Sequence, residues 1–222
     1  MSLQDIHLRK IMKIMYLEGP RRISALRTDI REDIARAHGV GGGGGDFYGP
    51  FWRDAKDHVF DLADLRESTR VRIQSNSGRA NLYNQLRDGF LLWWDERRRW
   101  TNQPFIPATS LKTTIQLEGV NANIKFANIL SARDGNDEDH FVYPYWFPEP
   151  PLTEEMARLA LWGLWQAFPR ADPNELRVLD IIRGETFSLD RNPLQGNEGA
   201  IFRRRFEAAH RQWENLRREY PE

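Results

Sequence analysis

Apolar residues recur at helical spacing in five segments of the chain. Two lie at the start, "SLQDIHLRKIMKIMYLEG" and "PRRISALRTDIREDIARAHG". Apolar positions spaced by threes and fours, with a glycine at the end of each segment, are typical of amphipathic helices. We therefore predict an N-terminal helical pair over residues 1–40.

Three further helices are predicted downstream. "PFWRDAKDHVFDLADL" and "GRANLYNQLRDGFLLWWDERRRW" have helical periodicity, and the second carries an apolar stripe of Leu82, Leu86, Phe90, Trp93 and Trp100. At the end of the chain, "EGAIFRRRFEAAHRQWENLRREY" repeats apolar residues by fours and threes. We expect each of these helices to bury one face.

The period changes between residues 111 and 147, where apolar and polar residues alternate around turn signals at Gly119 and "DGND". Alternation with a period of two indicates antiparallel strands. A very apolar helix follows, "PLTEEMARLALWGLWQAF", with Thr153 as its predicted N-cap. "LRVLDIIRGETFSL" then indicates a strand, a turn and a short return strand. The predicted fold class is α/β (α+β), with a small central mixed sheet flanked by helices.

The run "VGGGGGDFYGPFW" divides the chain. Five consecutive glycines lack the Lys and Ser or Thr of a phosphate-binding loop, so we interpret residues 41–49 as a Gly-rich linker. The predicted organisation is a helical pair at 1–40, this linker, and a mixed α/β core at 50–222.

Composition limits the functional classes. Lys plus Arg and Asp plus Glu both total 32, and the chain contains no cysteine, which excludes disulfides and thiol catalysis. The longest uncharged apolar run, "LALWGLWQAF", is too short to span a bilayer. We expect a soluble, cytoplasmic protein with no membrane partner.

Positive charge is concentrated near the two ends of the chain. Residues 1–100 carry 18 basic and 14 acidic groups, residues 191–222 carry 7 and 5, and residues 101–190 carry 7 and 13. Arginines beside aromatic rings are typical of single-strand binding grooves. The predicted nucleic-acid contacts are therefore Arg97, Arg98, Arg99, Trp100, Arg203, Arg204 and Arg205. Basic residues in a last helical turn are also favoured by the helix dipole alone.

Two clusters could hold a divalent metal ion. Asp54, His58 and Asp61 fall on one face of a predicted helix, although ion pairs with nearby basic residues also explain them. The stretch "NDEDHFVYPYWFPEP" follows Asp134 and adds Asp137, Glu138, Asp139 and His140, which could gather a metal or form a solvated hairpin tip. Pro144 in this stretch predicts an edge strand or a bulge.

The order of elements over residues 78–185 resembles the PD-(D/E)XK nuclease superfamily, particularly its RecB-like and Cas4-like branch. "SGRANLYNQL" looks like the family's "GR..H" helix, with Leu82 or Tyr83 in place of the histidine. "NANIKFANIL" is similar to the "GxxD" strand, with Asn128 nearest to the metal-binding aspartate. "HFVYPYWF" stands at the acid-x-Lys strand but contains neither residue, and Gln166 is not at the family's usual glutamine position.

The resemblance implies a nuclease-like fold whose usual metal site is lost, because metal-assisted phosphodiester hydrolysis needs carboxylates. The leading hypothesis is a non-catalytic accessory or recognition protein that acts on DNA or RNA, in mobile-element or defence biology, without a cofactor. An alternative is a Mg²⁺- or Mn²⁺-dependent nuclease with relocated ligands drawn from Asp180, Glu185, Asp54 and His58. A third is a structural protein with a protein partner, which an exposed patch at residues 143–147 would favour.

Overall fold

The computed structural model describes residues 3–39 and 47–220. It confirms the predicted mixed α/β class, with seven α-helices and two mixed sheets in the described residues, about 52% helix and 16% strand. The prediction of one small central sheet was incomplete, because a second sheet of three strands lies beside the sheet of five.

The N-terminal segment begins with a strand that the helical periodicity did not predict. Strand β1 (Asp5–His7) precedes helices α1 (Leu8–Tyr16) and α2 (Gly19–Ala37). β1 pairs in parallel with β4 (Asn123–Phe126), which in turn pairs antiparallel with β3 (Thr113–Gln116). Through β1, the N-terminal segment completes a sheet formed by residues more than a hundred positions away.

Three helices form the next layer: α3 (Tyr48–Val59), α4 (Leu65–Ser75) and α5 (Ala80–Leu91). Most of the predicted linker, residues 41–46, lies outside the described residues, and Gly49 belongs to the first turn of α3. Helix α4 was not predicted, and its N-cap Asp64 accepts a hydrogen bond from the Glu67 backbone N–H at 2.8 Å. A π-helical turn, Leu92–Arg97, continues α5.

The larger sheet has the order β2-β5-β6-β7-β8. Its strands are β2 (Ile106–Pro107), β5 (Leu130–Arg133), β6 (Asp139–Tyr145), β7 (Leu176–Asp180) and β8 (Glu185–Ser188). β6 is antiparallel to β5 and parallel to β7, and helix α6 (Glu154–Ala167) connects β6 to β7. Thr153 caps α6 as predicted, since its hydroxyl accepts from the Met156 backbone N–H.

The prediction that Pro144 marks an edge strand or a bulge was wrong, because β6 is internal to the sheet. The carbonyl of Tyr145 accepts a hydrogen bond from the Ile181 backbone N–H, so the backbone groups of Tyr145 point toward β7. Because successive residues of a strand direct their backbone groups to opposite sides, the nitrogen of Pro144 points toward β5. Pairing with β5 extends only to Val142, opposite Leu130. The missing N–H of Pro144 therefore costs no hydrogen bond between strands.

The five-stranded sheet separates two hydrophobic cores. One face, which includes Tyr143 and Val178, packs with α1, α2, α6, the smaller sheet and α7 (Glu198–Arg217). The other face, which includes Val142 and Leu179, packs with α3, α5 and a cluster of tryptophans. Within the described ranges, no helix combines the length and the apolar character that crossing a bilayer requires.

Candidate ligand-binding surface at the end of strand β6

Strand β6 lies between the antiparallel and the parallel part of the larger sheet. It has an antiparallel neighbour on one side and a parallel neighbour on the other, and its carboxyl end leads through Trp146 toward α6. The structure has two cavities beside this end of β6.

Three stacked side chains, Arg9, Trp146 and Tyr48, lie at the carboxyl end of β6. The Arg9 guanidinium lies 4.1 Å from the centroid of the Trp146 ring, and Tyr48 stacks on Trp146 with centroids 5.2 Å apart and planes 6° apart. Arg9 is buried and donates to the Ala127 carbonyl at 3.1 Å, while its backbone N–H donates to the Tyr143 hydroxyl. Helices α1 and α3 are thereby held against the end of β6.

The first cavity, which we call the Asn128 cavity, has a volume of about 290 Å³. Its wall is formed by Gly49, Pro50, Trp52, Arg53, Lys56 and Asn128. The indole N–H of Trp52 donates to the Asn128 carbonyl at 2.5 Å, and Asn128 itself has φ of 64°, so its exposed side chain is presented from a left-handed backbone. Among the described residues, this wall contains two cations and no carboxylate.

Of the two cations, Lys56 is half-buried, whereas Arg53 is exposed. Lys56 lies on α3, and no carboxylate among the described residues lies within ion-pair distance of its ammonium group. Burial lowers the pKa of Lys56, the charge of Arg53 lowers it further, and Asp57 acts in the opposite direction. Two cations thus lie close together, and no described carboxylate pairs directly with Lys56, which favours an anionic ligand.

The second cavity, which we call the α1–α2 crevice, has a volume of about 640 Å³. It lies between α1, α2 and the segment that follows β6, and it is lined by Lys10, Lys13, Ile14, Leu17, Arg21, Ser24, Ala25, Thr28, Glu32, Phe147, Pro148 and Glu149. Phe147 contacts Tyr48 edge-on with centroids 5.6 Å apart, and Tyr48 precedes Gly49 of the first cavity. The two cavities therefore flank the same aromatic cluster.

The predicted nucleic-acid contacts at residues 97–100 are largely held by the protein itself. Arg97 donates to the carbonyls of Arg183 and Gly184, and Arg99 pairs with Asp190 at 3.2 Å. The Arg98 guanidinium lies 3.5 Å from the centroid of the Trp94 ring, and burial lowers the pKa of Arg98 to about 10. Trp100 is only 7% exposed, so its ring is not available to stack on a base.

The second predicted run, Arg203 to Arg205, lies on α7 on the opposite side of the sheet from residues 97–100. Arg205 pairs with Glu155 at 2.6 Å and lies 4.0 Å from the centroid of the Tyr16 ring. Arg203 and Arg204 are exposed. The structure does not bring the two arginine runs together.

Asp54, His58 and Asp61 do not converge on one point. Both carboxylate oxygens of Asp54 accept from Arg72, one of them at 2.7 Å. His58 Nδ1 lies 3.3 Å from the Ala63 carbonyl, and Asp61 is exposed beyond the end of α3 with φ of 55°. Ion pairing and local turn structure explain these residues.

Asp134, Glu138 and His140 do approach one another, with one ligand atom from each within 4.8 Å of the others. However, Asp134 is buried and already accepts four hydrogen bonds, from the Asn136 and Glu138 backbones, the Asn102 amide and the His140 ring. Burial alone would raise the pKa of Asp134, but these hydrogen bonds outweigh it and lower that pKa. The cluster fastens the β5–β6 hairpin to the loop at Asn102.

The other carboxylates considered for a relocated nuclease site are also apart from the cavities. Asp180 is fully buried, accepts from the Leu152 and Arg183 backbones and pairs with Arg183 at 3.1 Å. Burial raises the pKa of Asp180. Glu185, its register partner on β8, is exposed. Asp180 holds the β7–β8 turn.

The patch whose exposure would favour a protein partner is mostly buried. Tyr143 and Tyr145 are each 1% exposed and Trp146 is 6% exposed, while Phe147 is half-buried. These rings fill the space at the end of β6 and are not a free apolar surface. The structure therefore gives no support to a protein-binding role for this strand.

Comparisons with known proteins returned no match to a family model, to a curated protein or to a solved structure.

Proposed function

We propose that the protein is a non-catalytic nucleic-acid-binding protein that contacts a single strand at the Asn128 cavity. The observation that carries this proposal is the pair Arg53 and Lys56, two cations in a concave wall to which the described part of the chain contributes no carboxylate. Phosphates of a nucleic-acid backbone are the common polymeric anions that such a wall attracts.

The same wall argues against metal-dependent hydrolysis at this position. Mg²⁺ and Mn²⁺ are held by carboxylate oxygens, and a divalent cation beside Arg53 and Lys56 would meet positive charge. Under the proposed resemblance to PD-(D/E)XK nucleases, Asn128 stands where the family has a metal-binding aspartate. Where the family has metal-binding carboxylates, this cavity has Arg53 and Lys56. Such a lining is suited to binding nucleic acid without cleaving it.

A single strand fits better than a duplex. The cavity is small, with a volume of about 290 Å³, and its wall begins at Gly49, directly after Tyr48, whose ring stacks on Trp146. Single-strand sites combine cations that follow the backbone with aromatic rings on which bases stack. We assign the phosphate contacts to Arg53 and Lys56.

Fluorescence anisotropy with labelled DNA and RNA strands of about 20 nucleotides, at about 50 and 200 mM salt, tests the proposal. We expect Lys56→Gln and Arg53→Gln each to weaken binding about 3- to 10-fold and to lower the salt slope by about 0.7. Arg204→Gln is the matched control, because it removes one exposed charge from the run on α7. Absence of binding at low salt, or an equal loss in Arg204→Gln, would contradict the proposal.

A further inference from the structure

We propose that the α1–α2 crevice is a second, separate site, which binds a small monoanion with an apolar body, such as an aliphatic carboxylate. This inference goes beyond the proposed function and does not depend on it. The crevice volume of about 640 Å³ lies within the range of small-molecule sites, roughly 300–1,000 Å³.

The apolar part of the ligand has a matching wall. Ile14 on α1, Leu17 directly after it, Ala25 on α2 and Phe147 all belong to the lining. Ile14 and Leu17 are nearly fully buried, whereas Ala25 and Phe147 are half-buried. An aliphatic chain placed here would cover the exposed part of Ala25 and Phe147 and contact the edges of the two buried side chains.

Among the described residues of the lining, Lys13 is the cation that has no ion-pair partner. Its ammonium group lies 4.6 Å from the centroid of the Phe147 ring, and no carboxylate of the described residues is within ion-pair distance of it. The two other cations in the lining are already paired. Lys10 contacts Asp29 at 2.6 Å and Glu32 at 2.9 Å, and Arg21 lies 3.5 Å from Glu149.

The lysine is also poorly solvated. Burial is the main cause that lowers the pKa of Lys13, the neighbouring charge of Lys10 lowers it further, and Glu32 opposes both. A carboxylate next to the ammonium group would replace the lost solvation. Hydrogen bonds between two charged groups are stronger than those between neutral groups, and partial burial strengthens them.

The carboxylates in the lining restrict the ligand to one negative charge. Glu32 and Glu149 balance two of the three cations in the described lining, Lys10, Lys13 and Arg21, so one positive charge remains to attract a bound anion. This feature distinguishes the crevice from the Asn128 cavity, whose wall has no carboxylate. Phosphate-rich polymers are therefore expected at the Asn128 cavity and a monoanion in the crevice.

Isothermal titration calorimetry with octanoate, octanamide and suberate tests the assignment. We expect octanoate to bind, and the neutral amide and the dianion to bind at least tenfold more weakly. Lys13→Gln should weaken octanoate binding at least tenfold, and Ala25→Phe, which fills the crevice without changing its charge, should abolish it. Lys56→Gln is the charge-matched control and should leave octanoate binding unchanged.

The outcomes separate this inference from the proposed function. Failure of octanoate to bind, equal binding of octanoate and octanamide, or full binding by Lys13→Gln would each overturn the crevice assignment. Displacement of a labelled strand by octanoate would overturn the claim of two sites. None of the calorimetric failures would affect strand binding at Arg53 and Lys56, which the anisotropy titration measures independently.

Discussion

The imidazole of His140 stacks on the indole of Trp100, with ring centroids 4.2 Å apart and planes 12° apart. An ionised carboxylate can only accept hydrogen bonds, so the ring N–H at Nε2 donates to Asp134 at 3.2 Å. The stack and this hydrogen bond together join the tryptophan-rich core to the β5–β6 hairpin. Asp134 and His140 of the acidic hairpin therefore have a structural role, since they hold the hairpin against the core.

Removal of the Asp134 side chain should therefore destabilise the fold. In Asp134→Ala, two backbone N–H groups, the Asn102 amide and the His140 ring lose their acceptor. We expect a loss of about 3 kcal/mol in the free energy of unfolding, measured by urea titration followed by tryptophan fluorescence. Glu138→Ala, at an exposed neighbour, should change it by less than about 0.5 kcal/mol. Comparable losses in the two variants would contradict this assignment.

His7 should make stability depend on pH. Burial is the main cause that lowers the pKa of His7 from 6.5 to about 4, and the charges of Arg9 and Lys125 add to it. The unfolded chain therefore takes up a proton below about pH 6.5 that the folded state rejects until about pH 4. The stabilising effect of neutral His7 is complete above pH 6.5 and is lost progressively toward pH 4.

Urea titrations at several pH values check this expectation. His7→Gln should have a smaller dependence of the unfolding free energy on pH in this range. A residual slope should remain, because burial also lowers the pKa of His140. His38→Gln, at an exposed histidine, serves as the control and should retain the slope of the original protein. An unchanged slope in His7→Gln would refute the role of this group.

Asp54 should act as an ion-pair partner rather than a metal ligand. Because Arg72 binds both of its carboxylate oxygens, Mn²⁺ at about 1 mM should not raise the melting temperature through this group. Asp54→Ala should lower the unfolding free energy by about 3 kcal/mol, and a double-mutant cycle with Arg72→Ala should give a coupling of about 1–3 kcal/mol. A rise in melting temperature with Mn²⁺ that Asp54→Ala removes would revive the metal hypothesis.

Gly89 should tolerate no side chain. A Cβ at this position would lie 2.1 Å from the Ile181 carbonyl oxygen and 2.3 Å from that of Ile182, and both are backbone atoms. Gly89→Ala should cost about 3 kcal/mol or more, as measured by chemical unfolding. Gly163→Ala is the matched control, since its Cβ would meet Phe126 at an ordinary 3.5 Å; it should stabilise helix α6 by about 0.5–1 kcal/mol. Tolerance of Gly89→Ala would contradict the close approach.

Sequence periodicity predicted the helices whose buried residues form a regular apolar stripe along the chain. Helices α1, α2, α5, α6 and α7 have continuous apolar stripes, and the cap at Thr153 follows a local rule. β1 was missed because its three residues run directly into α1. Helix α4 was missed because only two of its residues, Leu65 and Thr69, are buried.

The candidate surface could not be predicted in the same way. Lys13 and Lys56 are half-buried and have no carboxylate of the described residues within ion-pair distance, and such partners are set by tertiary packing: Lys10 meets Asp29 across two helices. The residues next to a lysine in the sequence do not show whether it will have an ion-pair partner in the folded protein. For the same reason, the arginines at 97–99 gave a nucleic-acid signal although aromatic rings and carbonyls already hold two of them.

The core that contains α1 is assembled from both ends of the chain. The apolar stripe of α1 contacts α6 and α7, and Phe202 and Phe206 of α7 belong to the same core as Ile11 and Met15. A nascent chain emerges from the ribosome with its N-terminus first. Until α7 has been synthesised, the part of the apolar face of α1 that packs against α7 stays uncovered by that helix, so this core is completed late in translation.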